Sequence, residues 1–468
     1  MNANQFVYIG ELVCTKKLKG ACRMKYVIIG GDAAGMSAAM EIYRNVPGAE
    51  ITSVERGFIY SYGQCGLPYV VDGRISSTKR LIARDVATFR DKYGIDALVG
   101  HEVERIDVEK QCVMGTDLAS GEQFEIPYDK LLIATGADPI MSVKKGADLA
   151  GVHMVKTIPM LEDLLADLTP DIKHTTIIGG GYIGLEMAET LQASGKKVRL
   201  IQRSEYLAKF LDKELAQHVH EEAKKQGVEV LLNTLVEAFE GNVRVERVVT
   251  KEGTFDTDLV IVATGIQPNT QFLKDTGIVL AKNGAVIVNR HLETSIENIY
   301  AAGDCAMHFN IVKDRLDYVP LGTTANKHGR VAGLNMSGKF ASFRGIVGTS
   351  IMKFFDLSVA STGINEDTAK QLGFEYEAFK YSARHIAGYY PGAQRMFIKI
   401  VVRKRDQQLL GAQIIGPAGV DKRIDVFATA LYNKMTLPDL LDLDLAYAPP
   451  FNGVWDPLQQ VARINGRL

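Results

Sequence analysis

Cysteine is scarce in this chain, with Cys14, Cys22, Cys65, Cys112 and Cys305 the only five among 468 residues. They are too few and too scattered for a disulfide scaffold, and they form no paired Cys-x-x-Cys zinc motif, so no metal site is expected. Such usage fits a reducing compartment, and the cytoplasm is the expected address. Charge of either sign is also missing in excess: the net value of −1 leaves no basic stripe for nucleic acid. No apolar run approaches the roughly 20 residues that a membrane span requires. Neither nucleic acid nor a bilayer is therefore expected as a partner. What remains is an ordinary globular composition, 46% apolar and 23% charged, with length for about three domains.

The first 23 residues have a short apolar patch broken by Glu11 and followed by lysines, unlike a secretory signal. They read as a peripheral extension, with the folded part starting at Met24. From there "YVIIGGDAAGMSAAMEIYRN" gives a buried apolar strand, a Gly-rich turn and a helix that opens with small residues, the first turn of a dinucleotide-binding unit. Gly30 and Gly35 take the first and last glycine positions, while Asp32 stands where the middle glycine usually lets backbone approach pyrophosphate. Glu55 ends the next strand, "EITSVE", 20 residues after Gly35, where a carboxylate accepts ribose hydroxyls.

The unit recurs about 150 residues later as "TTIIGGGYIGLEMAETL", with Gly179, Gly181 and Gly184 all in place. Matching strand-and-turn segments, "LLIATGADP" and "LVIVATGIQPNT", close the two units, so the nucleotide-binding half is duplicated and two nucleotides are expected. Each pyrophosphate would lie on a helix N-terminus, where unpaired N–H groups and the helix dipole favour negative charge. A third segment, "TSIENIYAAGDCA", ends a strand in Gly303 and Asp304. Alone, Asp304 could equally cap a turn.

With these motifs in this order, the chain from about residue 27 onward resembles the flavin-dependent pyridine nucleotide-disulfide reductases. The resemblance implies an α/β fold of two Rossmann-like domains, one for FAD and one for NAD(P), followed by an α+β dimerisation domain. Its boundaries fall at 24–142 and 269–344 for the FAD domain, 143–268 for the NAD(P) domain, and 345–468 for the dimerisation domain. It places Asp304 on the ribityl chain of FAD and adds Gly31, Ala33, Ala34, Arg56, Val103, Ala134, Thr135 and Gly136 to the cofactor contacts. On the nicotinamide side it adds Ile183 and Gly265, makes Tyr182 the gate of the nicotinamide position and sets Glu186 near the stacked rings.

Cys65, in "SYGQCGLPY", lacks the second cysteine of a dithiol pair; its neighbours Gln64 and Ser61 are not redox-active. Its oxidised form must be a sulfenic acid or a mixed disulfide with a small thiol. The first state belongs to NADH oxidases and peroxidases, the second to coenzyme A-disulfide reductases. "CGLPY" resembles the latter, and Ala33 occupies the place where the peroxide-handling branches usually carry a histidine. A helix start following Cys65 is expected to favour its thiolate, and Cys112 and Cys305 read as inert. "GYYPGA" and "LAYAPPF" resemble the segments carrying the two tyrosines of the coenzyme A enzymes, here Tyr389 and Tyr447, which in that family's homodimer reach the partner's site. Interface packing is the other reading of both.

For coenzyme A the matching positions are Arg44, Ser61, Ser37, Glu41, Gln64 and Asn326; a solvated Arg44 is the alternative. Two further classes stay open. A persulfide or polysulfide reductase would use the same cysteine but commonly adds a sulfurtransferase domain, for which no room follows Leu468. A non-enzymatic redox sensor would leave the NAD(P)H unit without a purpose.

The second dinucleotide strand, "VRLIQR", ends in Gln202 and Arg203 rather than a carboxylate. A carboxylate repels the extra phosphate of NADPH, whereas an amide beside a guanidinium accommodates it; a merely solvated Arg203 is the alternative. Both NADPH and NADH should therefore serve as reductant. Steady-state comparison should give kcat/KM values within about a hundredfold of each other, roughly 2.7 kcal/mol; a larger preference for NADH contradicts this reading of Gln202 and Arg203.

Overall fold

A computed structural model describes residues 23–465. The expected N-terminal extension lies outside the described residues except for Arg23. Strand Lys25–Ile29 has four of its five residues buried, and Leu259–Val262 is buried throughout. Such unbroken apolar runs belong to parallel strands covered on both faces. Both are first-unit and second-unit members of five-stranded sheets.

The first sheet runs Ile299–Ala301, Lys130–Ile133, Lys25–Ile29, Glu50–Glu55, Asp96–Val99, with every pairing parallel. The second runs Val152–His153, Leu259–Val262, His174–Ile178, Lys197–Ile201, Glu229–Leu231, again all parallel. Four strands follow the same order in each, counted from Lys25–Ile29 and from His174–Ile178, while the fifth comes from after the unit in the first sheet and from before it in the second. The likeness extends to an antiparallel meander between the third and fourth strands, over residues 101–127 in the first unit and 236–256 in the second. The closing turns "TGADP" and "TGIQP" pair with each other, Ala137–Pro139 against Ile266–Pro268.

Residues after 269 return to the first unit, since Val286, Tyr300, Val331 and Phe343 share a core with Val27, Ile28 and Leu131. Helix Gly322–Met336 lies on helix Ala33–Asn45 at very close range. A β-carbon at Gly329 would come within 2.1 Å of the Ala34 carbonyl oxygen, and one at Gly333 within 2.6 Å of that of Ala38.

The C-terminal unit is a five-stranded antiparallel sheet in the order Ser350–Phe354, Leu357–Gly363, Leu409–Gly416, Arg395–Arg403, Tyr376–Arg384. Helices Val420–Tyr432 and Pro457–Asn465 join its core through Ile424, Phe427, Leu458 and Val461. Met352, Phe354, Val359 and Ile415 pack instead with Leu185, Ala188 and Leu191 of the second unit. There the buried Lys399 ammonium pairs with Asp212 and Glu214 at 2.9 Å and with Glu366. This is the expected class, two Rossmann-like units and an α+β third unit. Among the described residues no helix is long and apolar enough to cross a membrane.

The helix contact gives a stability prediction. Gly329→Ala forces the two helices apart and should cost about 1–3 kcal/mol, read as a drop of several degrees in the unfolding temperature followed by circular dichroism. An unchanged transition would mean that this approach is not tight.

Candidate active site

Both Gly-rich turns are built on one constraint. At Gly30 a β-carbon would lie 2.2 Å from the Ala134 carbonyl oxygen, and at Gly179 it would lie 2.3 Å from that of Ala263. The turn is therefore pressed against the strand that follows the fold's reversal point, opening a crevice at the carboxyl ends of the strands. Glu55 accepts from the Gly31 N–H (2.8 Å) and the Gly57 N–H (2.7 Å). Gln202 repeats the first contact, its Oε1 accepting from the Gly180 N–H at 3.1 Å. Glu55, read as the ribose partner, and Gln202, read with Arg203 as accommodating the NADPH phosphate, thus occupy equivalent places, one an acid and one an amide, with Arg203 exposed beside the second.

The remaining first-unit positions fall on strand ends, turns and the meander of the same unit. Ala134 N–H donates to the Ile29 carbonyl (2.8 Å), and the Thr135 hydroxyl donates to the Asn269 carbonyl (2.6 Å). Gly136 has φ +65°, and its carbonyl accepts from Asn269. A β-carbon on Gly303 would stand 3.0 Å from the methyl of Ala34 at the start of the first helix, and its N–H meets Nδ1 of the buried His328 at 3.4 Å. Arg56 is exposed and bridges Asp138 (3.0 Å) and Glu102 (3.7 Å). Val103, half-buried, lies at a register shift in the first meander.

On the second unit the Tyr182 ring stacks on Phe210 at 4.1 Å, and its hydroxyl lies 2.5 Å from that of Ser350. Ile183 is half-buried and Gly265 exposed. Glu186, one helical turn beyond Tyr182, accepts from the Tyr69 hydroxyl at 3.3 Å; burial pushes its carboxyl up to about 7.

Cys65 sits in a single tight turn, Gln64–Gly66, ahead of helix Pro68–Val71, and is exposed, whereas Cys112 and Cys305 are buried. Cys14 and Cys22 lie outside the described residues. The expected helix start is present, but it is four residues long, too short for a sizeable dipole. The thiol is pushed up rather than down. Desolvation by the surrounding protein is the main cause, the Glu186 carboxylate adds to it, and Lys156 alone among the nearby side chains opposes them. Lys156 itself pairs with Asp304 at 3.3 Å, both side chains being largely buried.

Of the six residues read for coenzyme A, Ser37, Glu41 and Arg44 lie on the first helix, Asn326 is hydrogen-bonded to it, and Ser61 and Gln64 meet the turn before it. Ser37 donates to Asn326 Oδ1 at 2.9 Å, joining residues 289 positions apart. Glu41 and the exposed Arg44 continue the same helical face and pair at 3.1 Å. Ser61 approaches the turn through its N–H, which donates to the Gly31 carbonyl at 3.0 Å. Gln64 donates to Asp32 at 2.8 Å. Tyr389 and Tyr447 are brought together, hydroxyl to hydroxyl at 3.5 Å, and are 76% and 48% exposed. Among the described residues neither tyrosine hydrogen-bonds to the Cys65 turn of its own chain.

Comparison with known proteins agrees with this geometry. A family model described as pyridine nucleotide-disulphide oxidoreductase matches residues 24–329, and the dimerisation domain of the same family matches 349–458. The chain belongs to the pyridine nucleotide-disulfide oxidoreductases. It is thus an NAD(P)H-dependent flavoprotein. Among curated relatives it is 40% identical to a "NAD(P)H sulfur oxidoreductase (CoA-dependent)" of Pyrococcus abyssi, over 94% of this chain and 97% of that one. It is 31% identical to a coenzyme A disulfide reductase of Staphylococcus aureus, over 93% and 98%. Among solved structures, reduced CoADR-RHD of Bacillus anthracis superposes with a TM-score of 0.92 at 35% identity, covering 95% of this chain and 80% of that one.

The first relative corrects one sequence argument. A CoA-dependent sulfur oxidoreductase matched over nearly its full length carries no long extra domain, so length does not count against a persulfide- or sulfur-directed reading. The oxidoreductase's second turn fits a dinucleotide: at Gly181 a β-carbon would meet nothing, leaving open space over the helix N-terminus. Sequence reasoning missed Lys156, which stands before the helix-capping Thr157 and belongs to no motif. Tyr69 carried a signal, lying inside "CGLPY".

The charges around Cys65 give a paired prediction. Glu186→Gln removes a carboxylate that raises the thiol and Lys156→Met removes the cation that lowers it. The pH midpoint of Cys65 alkylation in the reduced holoenzyme should therefore fall in the first variant and rise in the second, each by about 1 pH unit. Shifts of the same sign in both would contradict this electrostatic arrangement.

Proposed function

We propose that this oxidoreductase reduces coenzyme A disulfide, or mixed disulfides of coenzyme A, to thiols through a Cys65–coenzyme A mixed disulfide. The observation that carries the reading is the exposed Cys65 in a turn tied to Gly31 and Asp32, at the start of the helix that carries Ser37, Glu41 and Arg44. With no resolving thiol in reach among the described residues, an attacked substrate leaves half of itself on the sulfur.

FAD and NAD(P)H, when bound, supply the electron pair that returns Cys65 to its thiolate. The chain's residues supply the rest. The Cys65 thiolate, favoured by Lys156, attacks one sulfur of the disulfide; the new Cys65–sulfur bond forms as the substrate's sulfur–sulfur bond breaks, and one coenzyme A thiolate departs. A tyrosine hydroxyl is an apt acid for that thiolate. In the homodimer implied by the dimerisation domain, the partner subunit's Tyr447 holds that proton and the partner subunit's Tyr389 orients it. Two electrons and one proton then release the second coenzyme A as its thiol. Arg44 is held in its exposed pair with Glu41, a type of pair worth little, and so is free to meet a phosphate.

A second reading is favoured by the Pyrococcus relative. In it the Cys65 thiolate attacks the coenzyme A-bound sulfur of a coenzyme A persulfide, and hydrosulfide leaves instead of a second coenzyme A. The same mixed disulfide forms, so the two readings part only at the leaving group.

Mass spectrometry of the protein as isolated should find on Cys65 the mass of one coenzyme A less two hydrogens, released by NADPH or dithiothreitol. A gain of one oxygen there would assign the protein to the oxidase and peroxidase chemistry instead. Cys65→Ser should abolish disulfide reduction with FAD retained, and Tyr447→Phe should slow turnover without slowing reduction of the bound flavin by NADPH. Undiminished disulfide reduction by the serine variant would overturn the assignment.

A further inference from the structure

Asp32 is the residue that departs from the glycine fingerprint, and its side chain touches the turn that carries the nucleophile. Its backbone (φ −111°, ψ −152°) is close to that of Gly181 in the second unit (φ −87°, ψ −168°), ordinary extended geometry in both. The turn therefore requires no glycine there, and the side chain is an addition to it. One carboxylate oxygen accepts from the Tyr62 N–H at 3.2 Å and the other from the Gln64 side-chain amide at 2.8 Å. Next to these lies the Ser61 N–H to Gly31 carbonyl bond. Ser61 itself is held at φ +46°, a left-handed conformation that a serine keeps only when its surroundings enforce it.

The ties act on a segment with little structure of its own. Between Ser61 and the helix at Pro68 there is only the turn Gln64–Gly66; on the side away from Asp32 the segment pairs with residues 81–83, the Gly63 N–H donating to the Leu81 carbonyl at 2.9 Å and the Ser61 carbonyl accepting from the Ala83 N–H at 2.8 Å. A nucleophile on such a segment has a well-defined position only if it is held from both sides, and on the side facing the cofactor crevice the Gly-rich turn is the rigid element.

We propose that Asp32 is a positioning residue for the sulfur chemistry, holding the Tyr62–Gln64 segment against the first dinucleotide turn so that Cys65 is presented at a fixed place. The inference rests on Cys65 being the nucleophile, and it assigns the carboxylate at this position a role that the glycine in the second unit cannot have. A misplaced sulfur reacts less often without binding its substrate less well, so the effect belongs in kcat.

Two variants of the holoenzyme test this. D32G restores the residue of the second turn and removes both ties; D32N keeps an oxygen for the Tyr62 N–H but cannot accept from Gln64 with its amide nitrogen. Amide hydrogen exchange over residues 61–66 should accelerate at least tenfold in D32G and less in D32N. The kcat for disulfide reduction should fall about tenfold in D32G and about threefold in D32N, with KM for the disulfide within twofold of the parent. Should D32G shed its flavin, D32N alone carries the comparison. Parental exchange rates over 61–66 together with parental kcat in D32N or D32G would overturn the proposal. The exchange measurement needs no substrate, so its outcome is separate from whether coenzyme A disulfide is the substrate.

Discussion

The first and fourth strands of each nucleotide-binding unit end so close together that only glycine fits at the junction. At residue 30 the clearance to the Ala134 carbonyl oxygen, and at residue 179 the clearance to that of Ala263, is less than a β-carbon needs. Because the chain can turn there without a side chain, the following helix starts directly over the carboxyl ends of the strands, and its free N–H groups face the crevice. The chemically important groups are placed relative to these junctions. Asp304 follows the strand beside Lys130–Ile133, Glu186 lies on the helix that leaves the second turn, and the Cys65 segment is fastened to Gly31 and Asp32. The Cys65 segment is thus tied to the dinucleotide turn on one side and to residues 81–83 on the other, ahead of a helix only four residues long.

The features legible in the sequence were those that depend on local chemistry repeated at fixed spacing: the glycine turns, the apolar strands, the residues ending them and the duplication. What was hidden depends on segments far apart in the chain. Lys156 meets Asp304 across 148 positions, and its loop has no pattern to mark it. The Cys65 environment was misread because a helix start in sequence says nothing of the helix's length or of the carboxylates facing it. Asp32 was noticed as a departure, but its partners at 62 and 64 come into reach only once the second strand has folded back beside the first. The tyrosine pair was legible through likeness to known segments, whereas its hydroxyl contact was not.

Charge at the sulfur is arranged sparingly. Lys156 stands between Asp304, which it pairs with, and the Cys65 thiol, which it favours as the anion, while Glu186 acts on the same thiol with the opposite sign. An arrangement of one cation and two carboxylates keeps the sulfur's ionisation sensitive to what happens on the nicotinamide side, since Glu186 belongs to the second unit and changes its own charge near neutral pH. A side chain of the second unit thus acts electrostatically on the Cys65 thiol of the first.

The short ribbon between residues 137–139 and 266–268 has a symmetry of its own. Aligning "ATGADP" with "ATGIQP" makes Asp138 the counterpart of Gln267, and these two face each other in the register, while Ala137 meets Pro268 and Pro139 meets Ile266. Each pairing is thus the mirror of another under exchange of the two units, and a local two-fold axis passes between Asp138 and Gln267. A contact of that kind is isologous: one unit carrying the segment is complementary to a second copy of itself. Where the two units meet at this ribbon, the contact consequently has the local form of a dimer interface between equal parts.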